Sequence, residues 1–353
     1  MQWVEDAYGK RVSVQPLDSE RDQNFLLLDR DTQEEFVFRI SNTDTSDSVL
    51  DLENRMMLHI VDRLGGSVPV PIENRLGQFI SRGCFGSQEY QSRLFDFLAG
   101  ELLVNARPHS DRLLSEIGGL LGRITKSLED FRHPAAERQF HWNLDQVEQT
   151  ITLYRGSVEN FPAIDSFLER YRSRVLPQLG GLRKSVIQND ANDHNLVVRS
   201  QNCWPQAVVG LIDFGDVVFA STINELAICV AYVMLEKDDP LWAAAQVVRG
   251  YHEEFLLAES ELEVLFDLAR ARLFCSVVMA AHQRQLQPTN EYLSVTDEPA
   301  RRLLKKLENI DSDFAACYFQ RVCDFLPIDD ADFEPAKTGV IKQRRIVKQW
   351  LVR

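Results

Sequence analysis

Two short segments, each of which places acidic side chains directly after a β-branched run, constrain the fold of this chain most. The first is Val186-Ile187-Gln188-Asn189-Asp190-Ala191-Asn192-Asp193-His194-Asn195, which returns to the apolar run Leu196-Val197-Val198. The second is Gly210-Leu211-Ile212-Asp213-Phe214-Gly215-Asp216. Strand-forming residues around a polar turn predict a strand-turn-strand unit that holds its acids at the strand ends.

Three of these side chains, Asp190, Asn195 and Asp213, can meet at one point if the ribbon folds back on itself. Asp190 and Asn195 lie across one tight loop, and Asp213 follows in the second turn. Two carboxylates and a carboxamide around one point can bind magnesium and orient a hydroxyl group. Ordinary structural roles are also open, since Asp190 and Asn195 can stabilise a turn and Asp213 can simply end a strand.

Length and composition predict a large folded protein, either one bilobal unit or two domains. The chain has 353 residues, of which 44% are hydrophobic, and this is enough for a sizeable buried core. It contains no apolar run long enough to span a bilayer, and its N-terminus lacks a basic region followed by an apolar one. We therefore expect a soluble, cytoplasmic protein with no membrane partner.

Charge and cysteine usage narrow the possible partners. A net charge of −14 disfavours nucleic acid and suits a cationic substrate, although an acidic surface also serves solubility alone. The six cysteines form no C-x-x-C pair, so buried reduced thiols are expected, and the seven histidines show no zinc-ligand spacing. Residues 336–353 stand apart because they carry six basic residues and no acid.

The predicted elements change from strands to helices along the chain, which is an α+β pattern. Strands are expected over residues 12–17, 24–28, 35–40, 78–82 and 91–97, with one helix over 49–64 that ends at Gly65-Gly66. Helices are expected over 111–128, 159–179, 221–235, 240–257, 260–286, 297–308 and 311–325. A further helix is expected to begin at Asn143, which would cap it.

The two acidic motifs together resemble the catalytic and metal loops of the aminoglycoside phosphotransferase and choline kinase superfamily. Three further segments make the chain similar to the hydroxylysine kinase branch, over about residues 10–325. They are Asn192-Asp193-His194-Asn195, Asp22-Gln23-Asn24-Phe25 and Trp142-Asn143-Leu144. The resemblance implies a bilobal protein-kinase-like fold, with a small N-terminal antiparallel sheet lobe that carries one helix and a large, mostly helical C-terminal lobe. It places the N-lobe at 1–98, the C-lobe at 99–335 and a basic tail or linker at 336–353.

The resemblance also implies a small-molecule kinase that uses ATP or GTP with magnesium. Asp190 would accept or orient the proton of the substrate hydroxyl, while Asn195 and Asp213 would hold the metal between the nucleotide phosphates. Asp216 would cap the following helix or support the metal, and we favour the cap.

On the nucleotide side, the resemblance implies a phosphate-covering turn, a basic residue and a hinge. The turn has no glycine, so Ser19, Gln23 and Asn24 with their backbone N–H groups would cover the phosphates. Arg39 would neutralise phosphate charge and pair with Glu53, with Asp51 as the alternative partner. At the hinge, backbone groups near Asp96 and Leu98 would bind a purine base, and no side chain there separates ATP from GTP.

Three residues depart from the family pattern near the site. Arg39 stands where the family has lysine, Gln188 where it usually has histidine and Asn189 where it usually has glycine. A guanidinium differs from an ammonium in shape, glutamine retains a donor and an acceptor, and asparagine tolerates a left-handed backbone. A weakly active or inactive pseudokinase that acts as a nucleotide-binding module therefore stays open.

The acceptor is less constrained than the reaction. Hydroxylysine-like amino alcohols or amino acids come first, followed by choline, ethanolamine, homoserine, a sugar or an aminoglycoside. Asp193 and Glu225 are candidates for an amine group, and Trp142 either lines the pocket or anchors the core. Nothing in the sequence places a basic residue for an amino acid carboxylate. The basic tail is either a surface helix or the start of a connection to a phospholyase-type domain, since relatives of this branch are sometimes fused to one.

Overall fold

The first part of the chain forms one antiparallel sheet. The computed structural model describes residues 2–19, 21–158, 161–199, 206–286 and 297–326, together with residues 343 and 347. The strands are β1 (Val12–Leu17), β2 (Gln23–Asp29), β3 (Glu35–Ile40), β4 (Pro71–Ile72), β5 (Ser81–Phe85) and β6 (Gln88–Asp96). Their order is β1-β2-β3-β6-β4, and β5 also pairs with β6. The three strands predicted between residues 12 and 40 are present, and β5 and β6 lie close to their predicted positions.

Two helices flank this sheet, α1 (Gln2–Tyr8) and α2 (Asp47–Leu64). Helix α1 was not predicted; its Trp3 and Tyr8 rings meet Phe38 edge-on beneath the sheet. Helix α2 ends as predicted at Gly65, which takes a left-handed φ of 68° and donates its N–H to Val61 O. The apolar face of α2 turns inward and packs on the helical part of the chain.

The chain leaves the sheet after β6 and enters a mostly helical body. The helices there are α3 (Asp111–Ser127), α4 (Val147–Tyr154), α5 (Ala163–Arg174), α6 (Ile223–Val233), α7 (Pro240–Glu254), α8 (Glu259–Leu286), α9 (Asp297–Leu307) and α10 (Ser312–Val322). Asn143 caps a short 3-10 turn before α4, as expected, by accepting the N–H of Asp145. Helix α8 is buried over most of its length and forms the centre of this body.

Two small antiparallel sheets position the acidic loops on the helical body. They are built from β7 (Glu101–Leu102), β8 (Lys184–Ile187), β9 (Leu196–Val198), β10 (Val208–Leu211) and β11 (Val218–Ser221). The first has the order β10-β9-β7, and the second pairs β11 with β8. The loop at 188–195, called the catalytic loop below, therefore joins β8 to β9, and the loop at 212–217, called the metal loop, joins β10 to β11.

A close backbone contact connects the two bodies beside these loops. Leu211 N–H donates to Ser67 O at 3.0 Å, just after α2. A Cβ at Gly210 would collide with Ser67 O and would lie 2.7 Å from Leu98 Cδ2. Glycine is needed at this position because the two backbones approach too closely for any side chain.

The predicted division at residue 98 falls where the chain passes from β6 to β7, and it stays a prediction. The charged residues of the basic tail lie outside the described residues. Gln343 and Val347 are described: Gln343 accepts the N–H of Asp311, and Val347 is buried against the helical body. Within the described residues, no helix combines the length and the hydropathy that crossing a bilayer requires.

Candidate active site

The catalytic loop brings Asp190 and Asn195 into direct contact. The side-chain nitrogen Nδ2 of Asn195 donates to Asp190 Oδ2 at 2.7 Å and to Asp190 O at 2.9 Å. Asn192 Nδ2 donates to Asp190 Oδ1 at 3.0 Å. These bonds fix the carboxylate of Asp190 over a turn in which Asn195 N–H also donates to Asn192 O. The amide oxygen of Asn195 is thereby left on the opposite side from Asp190.

Gln188 connects the catalytic loop to the metal loop. Its side-chain oxygen accepts the N–H of Asp190 at 2.8 Å, and its side-chain nitrogen donates to Ile212 O and to Asp213 O. Gln188 is completely buried. Its side-chain donor and its side-chain acceptor are both used. Glutamine therefore holds the two loops together by hydrogen bonds at the position where the family usually has histidine.

Asn189 holds the start of the catalytic loop in a left-handed conformation, with a φ of 69°. Asparagine adopts this region more readily than other residues that carry a side chain, which explains its tolerance at a position where glycine was the expected type. Its N–H donates to Glu225 Oε2 at 2.9 Å, and its side chain donates to Trp142 O at 3.5 Å.

The metal loop places Asp213 beside the catalytic loop. Ile212 N–H donates to Asn195 O at 2.9 Å, and this bond brings the two loops together. Asp213 has a left-handed φ of 57°, and its Oδ1 accepts from Arg39 Nη1 at 3.1 Å and from Gly215 N–H at 3.2 Å. Partial loss of water around the carboxylate acts to raise the pKa of Asp213, but Arg39 and the Gly215 amide outweigh this effect and the pKa is lowered.

The oxygen atoms around this point suit a hard divalent cation. Asn195 directs its amide nitrogen to Asp190, so its oxygen is the group available to a metal, and the Asp213 side chain is 44% exposed. Among the described residues, no group of three or more His, Cys, Asp or Glu side chains is arranged to hold an ion. A set of one carboxylate and one amide fits magnesium, which commonly takes one or two protein ligands and completes its shell with phosphates and water.

The expected ion pair between Arg39 and Glu53 is replaced by another. Glu53 binds Arg93 Nη2 at 2.7 Å, and both side chains are almost completely buried. Arg93 lies directly opposite Arg39 on the neighbouring strand, so two guanidinium groups compete for the same face. Arg93 takes Glu53, and Arg39 turns toward Asp213. The alternative partner, Asp51, pairs with Arg55 instead.

The turn between β1 and β2 contacts the metal loop through Arg21. Arg21 pairs with Asp216, which is buried, so the expected helix cap at Asp216 is wrong: strand β11 separates it from α6. Asn24 accepts from Arg39 Nε at 3.1 Å and thereby orients that guanidinium. Ser19 and Gln23 are exposed on the same turn, and their contact with phosphates stays a prediction.

At the hinge, Asp96 is committed to its own sheet edge. Its N–H donates to Val70 O at 3.1 Å, and its carboxylate accepts the N–H of Val70. Phe97 N–H donates to Glu35 O at 3.2 Å. The Asp96 amide is therefore unavailable to a base, and purine contacts through the remaining backbone groups near Asp96 and Leu98 stay a prediction.

The three residues proposed for the substrate occupy different environments. Glu225 is 1% exposed and supports the catalytic loop from below through Asn189, which does not fit a direct substrate contact. Its burial raises its pKa to about 7. Asp193 is also buried, and its carbonyl accepts the N–H of Val104 at 3.0 Å. Trp142 is partly exposed, and its position is described next.

Arg272 is a site residue that the sequence interpretation missed. It extends from α8, its Nη2 donates to Asp190 Oδ1 at 2.6 Å, and its Nε donates to Tyr232 Oη at 3.3 Å. The guanidinium carbon lies 4.5 Å from the centre of the Trp142 ring. Burial raises the pKa of Asp190, and the nearby carboxylates of the metal loop raise it further. Arg272 lowers it, but the net shift of this pKa is upward. An arginine inside the apolar run of α8 was the available signal.

Comparison with known proteins identifies the class. The profile of the phosphotransferase enzyme family matches residues 13–274. The chain belongs to this family and is a small-molecule kinase. Hydroxylysine kinase of Xenopus laevis is 32% identical over 337 residues, covering 88% of this chain and 89% of that protein. Hydroxylysine kinase of Mus musculus is 28% identical over 330 residues, covering 86% of this chain and 87% of that protein.

Solved structures share the architecture at low identity. Amicoumacin kinase hAmiN, in complex with AMP-PNP, Ca2+ and Ami, superposes with a TM-score of 0.65 at 14% identity, covering 86% of this chain and 92% of that one. A microcompartment-associated aminopropanol kinase gives 0.64 at 15% identity, covering 91% and 97%. The predicted bilobal α+β fold and the predicted family are both confirmed.

Proposed function

We propose that this kinase transfers the γ-phosphoryl group of ATP or GTP to the hydroxyl group of a hydroxylated amino acid or amino alcohol of the hydroxylysine type. The two relatives above are named for hydroxylysine, and their alignments span most of both proteins. The observation that carries the proposal is the bonding of Asn195 to Asp190 within the catalytic loop, together with the bond from Ile212 N–H to Asn195 O that holds the metal loop and Asp213 beside it.

Asp190 is the proposed base. Its carboxylate is held on both oxygens by amide groups of its own loop, which fixes its direction before substrate arrives. A carboxylate in this position orients the acceptor hydroxyl and takes its proton as the bond to phosphorus forms. Positioning of this kind supplies most of the catalysis in phosphoryl transfer, because little covalent help is needed.

Asn195 and Asp213 are the proposed magnesium ligands, through the amide oxygen of Asn195 and a carboxylate oxygen of Asp213. Bound magnesium would neutralise negative charge on the nucleotide phosphates. Arg39 approaches the same point from β3 and is steadied by Asn24, so it is suited to balance phosphate charge from the N-terminal lobe. Glu53 serves this arrangement indirectly, because it holds Arg93 rather than Arg39.

An acceptor panel tests the proposal. Hydroxylysine, choline, ethanolamine, homoserine, a sugar and an aminoglycoside are each incubated with magnesium and ATP or GTP, and nucleoside diphosphate release is measured. We expect the highest kcat/KM with hydroxylysine. Magnesium-dependent nucleotide binding without turnover of any acceptor would instead indicate an inactive nucleotide-binding module.

Asp190→Ala tests the role of the base. We expect turnover to fall on the order of 10³-fold, since general base catalysis contributes roughly that factor, while nucleotide affinity changes little. Asp130→Ala is the matched control, because Asp130 is an exposed aspartate on the surface of the helical body, paired with Arg63. Persistent turnover in Asp190→Ala would contradict the assignment of Asp190.

A further inference from the structure

We propose that Arg272 binds the carboxylate group of the acceptor, so that this kinase selects hydroxylated amino acids over hydroxylated amines that lack a carboxylate. This inference rests on the proposed function and narrows its substrate class. It also supplies the basic group for a substrate carboxylate that the sequence alone did not place.

The contacts of Arg272 use only part of its guanidinium group. Nη2 binds Asp190, and Nε binds Tyr232. Nη1 is buried and has no hydrogen-bond partner among the residues that the structure describes. A buried donor on a charged group is costly to leave unpaired, so an unpaired one calls for an explanation, and a bound anion is one such explanation. The free donor therefore indicates an anion that binds beside Asp190.

A purely structural role accounts poorly for this arginine. Holding the Asp190 carboxylate needs one donor, and the loop amides of Asn192 and Asn195 already supply two. A cation on the base also favours its ionised form and weakens it as a proton acceptor. A planar guanidinium can, in contrast, bind two carboxylates on different nitrogen atoms at once, which a lysine ammonium does less specifically.

The position of Arg272 fits an acceptor that presents its hydroxyl to Asp190. Nη1 and Nη2 belong to one rigid planar group, and Nη2 binds Asp190, the proposed base. A carboxylate bound to Nη1 would therefore lie beside Asp190, separated from it by the width of the guanidinium group. The hydroxyl and the carboxylate of one small amino acid can then occupy neighbouring places. Choline and ethanolamine have no group for Nη1 and would leave it unpaired.

Trp142 is a neighbour of the Arg272 guanidinium that also reaches the surface. Its ring packs over the Arg272 guanidinium, and of Trp142, Tyr232 and Arg272 it alone is partly exposed. Because Nη1 is buried, a carboxylate reaches it only after a neighbouring side chain moves, and on this proposal that side chain is Trp142. The flat ring then forms one wall for the carbon chain of the acceptor. Trp142 would in this way both line the substrate pocket and pack against a buried side chain, the two roles considered from the sequence.

Paired acceptors with the native protein give the first test. Hydroxylysine is compared with the hydroxylated diamine that has the same chain without the carboxylate. We expect kcat/KM to be at least about a hundred-fold higher for hydroxylysine, which is what one desolvated charge-assisted pair is worth. Equal kcat/KM values for the two acceptors would overturn the proposal for Arg272 and leave the kinase assignment intact. Failure to release nucleoside diphosphate with either would overturn the proposed function itself.

Arg272→Gln and Arg272→Lys give the second test. For hydroxylysine we expect Arg272→Gln to lower kcat/KM by about a hundred-fold, mainly through KM, with less than a ten-fold loss for the diamine. Arg272→Lys is expected to recover part of the loss for hydroxylysine only. An equal loss for both acceptors would show that Arg272 only positions Asp190. Arg284→Gln, on the same helix and partly exposed beside Asp297, is the control.

Discussion

Replacing Gln188 by glutamate tests whether the connection between the two loops depends on one amide group. The two side chains have nearly the same shape, so the substitution creates no cavity. The acceptor to Asp190 N–H is kept, whereas the donor to Ile212 O and Asp213 O is lost. The carboxylate would instead face two carbonyl oxygens in a place that water does not reach, since Gln188 is 0% exposed.

The expected loss of stability follows from these contacts. Two lost hydrogen bonds cost about 1 kcal/mol each, and leaving their carbonyl oxygens poorly paired adds about 1 kcal/mol or more. We expect Gln188→Glu to lower the free energy of unfolding by about 2–5 kcal/mol at pH 8, a large part of a typical total. Burial would raise the pKa of the new carboxyl, so the folded variant binds a proton more readily than the unfolded chain. Its deficit should therefore shrink as the pH falls toward 5, because a protonated carboxyl regains one donor.

Urea unfolding at pH 5 and pH 8 measures this effect. Gln88→Glu is the matched control, because Gln88 is exposed on the hairpin between β5 and β6. Gln188→His should retain most of the stability, since imidazole also offers one donor and one acceptor. A Gln188→Glu variant within about 0.5 kcal/mol of the native protein at pH 8 would refute the reasoning, because such a change is typical of a surface site.

Three further variants, in two experiments, test the fold around the site. Burial raises the pKa of Glu225 from 4.5 to about 7, so native stability should fall by up to about 3 kcal/mol as the pH rises between these values. Glu225→Gln should abolish that slope in urea unfolding; an unchanged slope would show that Glu225 is not its source. A Cβ at Gly118 would collide with Val247 O, whereas at Gly119 the nearest atom is 3.4 Å away on the flexible Arg123 side chain. Gly118→Ala should lower stability by about 2 kcal/mol and Gly119→Ala raise it by up to about 1 kcal/mol, and equal effects on Tm would contradict the packing.

Elements with a local signal were predictable from the sequence. The hairpin of β1 and β2 has two short strand-forming segments around a polar turn, and the long helices carry apolar residues at helical spacing. Gly65 and Asn143 end and begin their elements as expected, because their roles depend only on neighbouring backbone atoms. Helix α1 is short, with Val4 its single fully buried residue, and gave too weak a periodic signal to be predicted.

Pairings between distant residues were not predictable, because they depend on which side chains compete for one partner. The register of β3 and β6 places two arginines opposite each other, and only the side-chain positions show that Glu53 binds Arg93. Asp216 looked like a helix cap from its sequence position, yet Arg21 reaches it from the other lobe. Arg272 reaches the catalytic loop from a helix far along the chain, and spacing alone carries no information about this contact.

The structure pairs each of three acidic side chains on the two loops with an arginine from a different part of the chain. The pairs are Asp190 with Arg272, Asp213 with Arg39 and Asp216 with Arg21. Carboxylates this close would raise one another's pKa and resist ionisation together, whereas arginine stays charged at any physiological pH. On the proposed function, magnesium and phosphate enter as one cation and one anion. For Asp213, the one proposed metal ligand among the three, the carboxylate would be free to bind the metal while Arg39 turns to a phosphate, so neither charge would be left without a partner during binding.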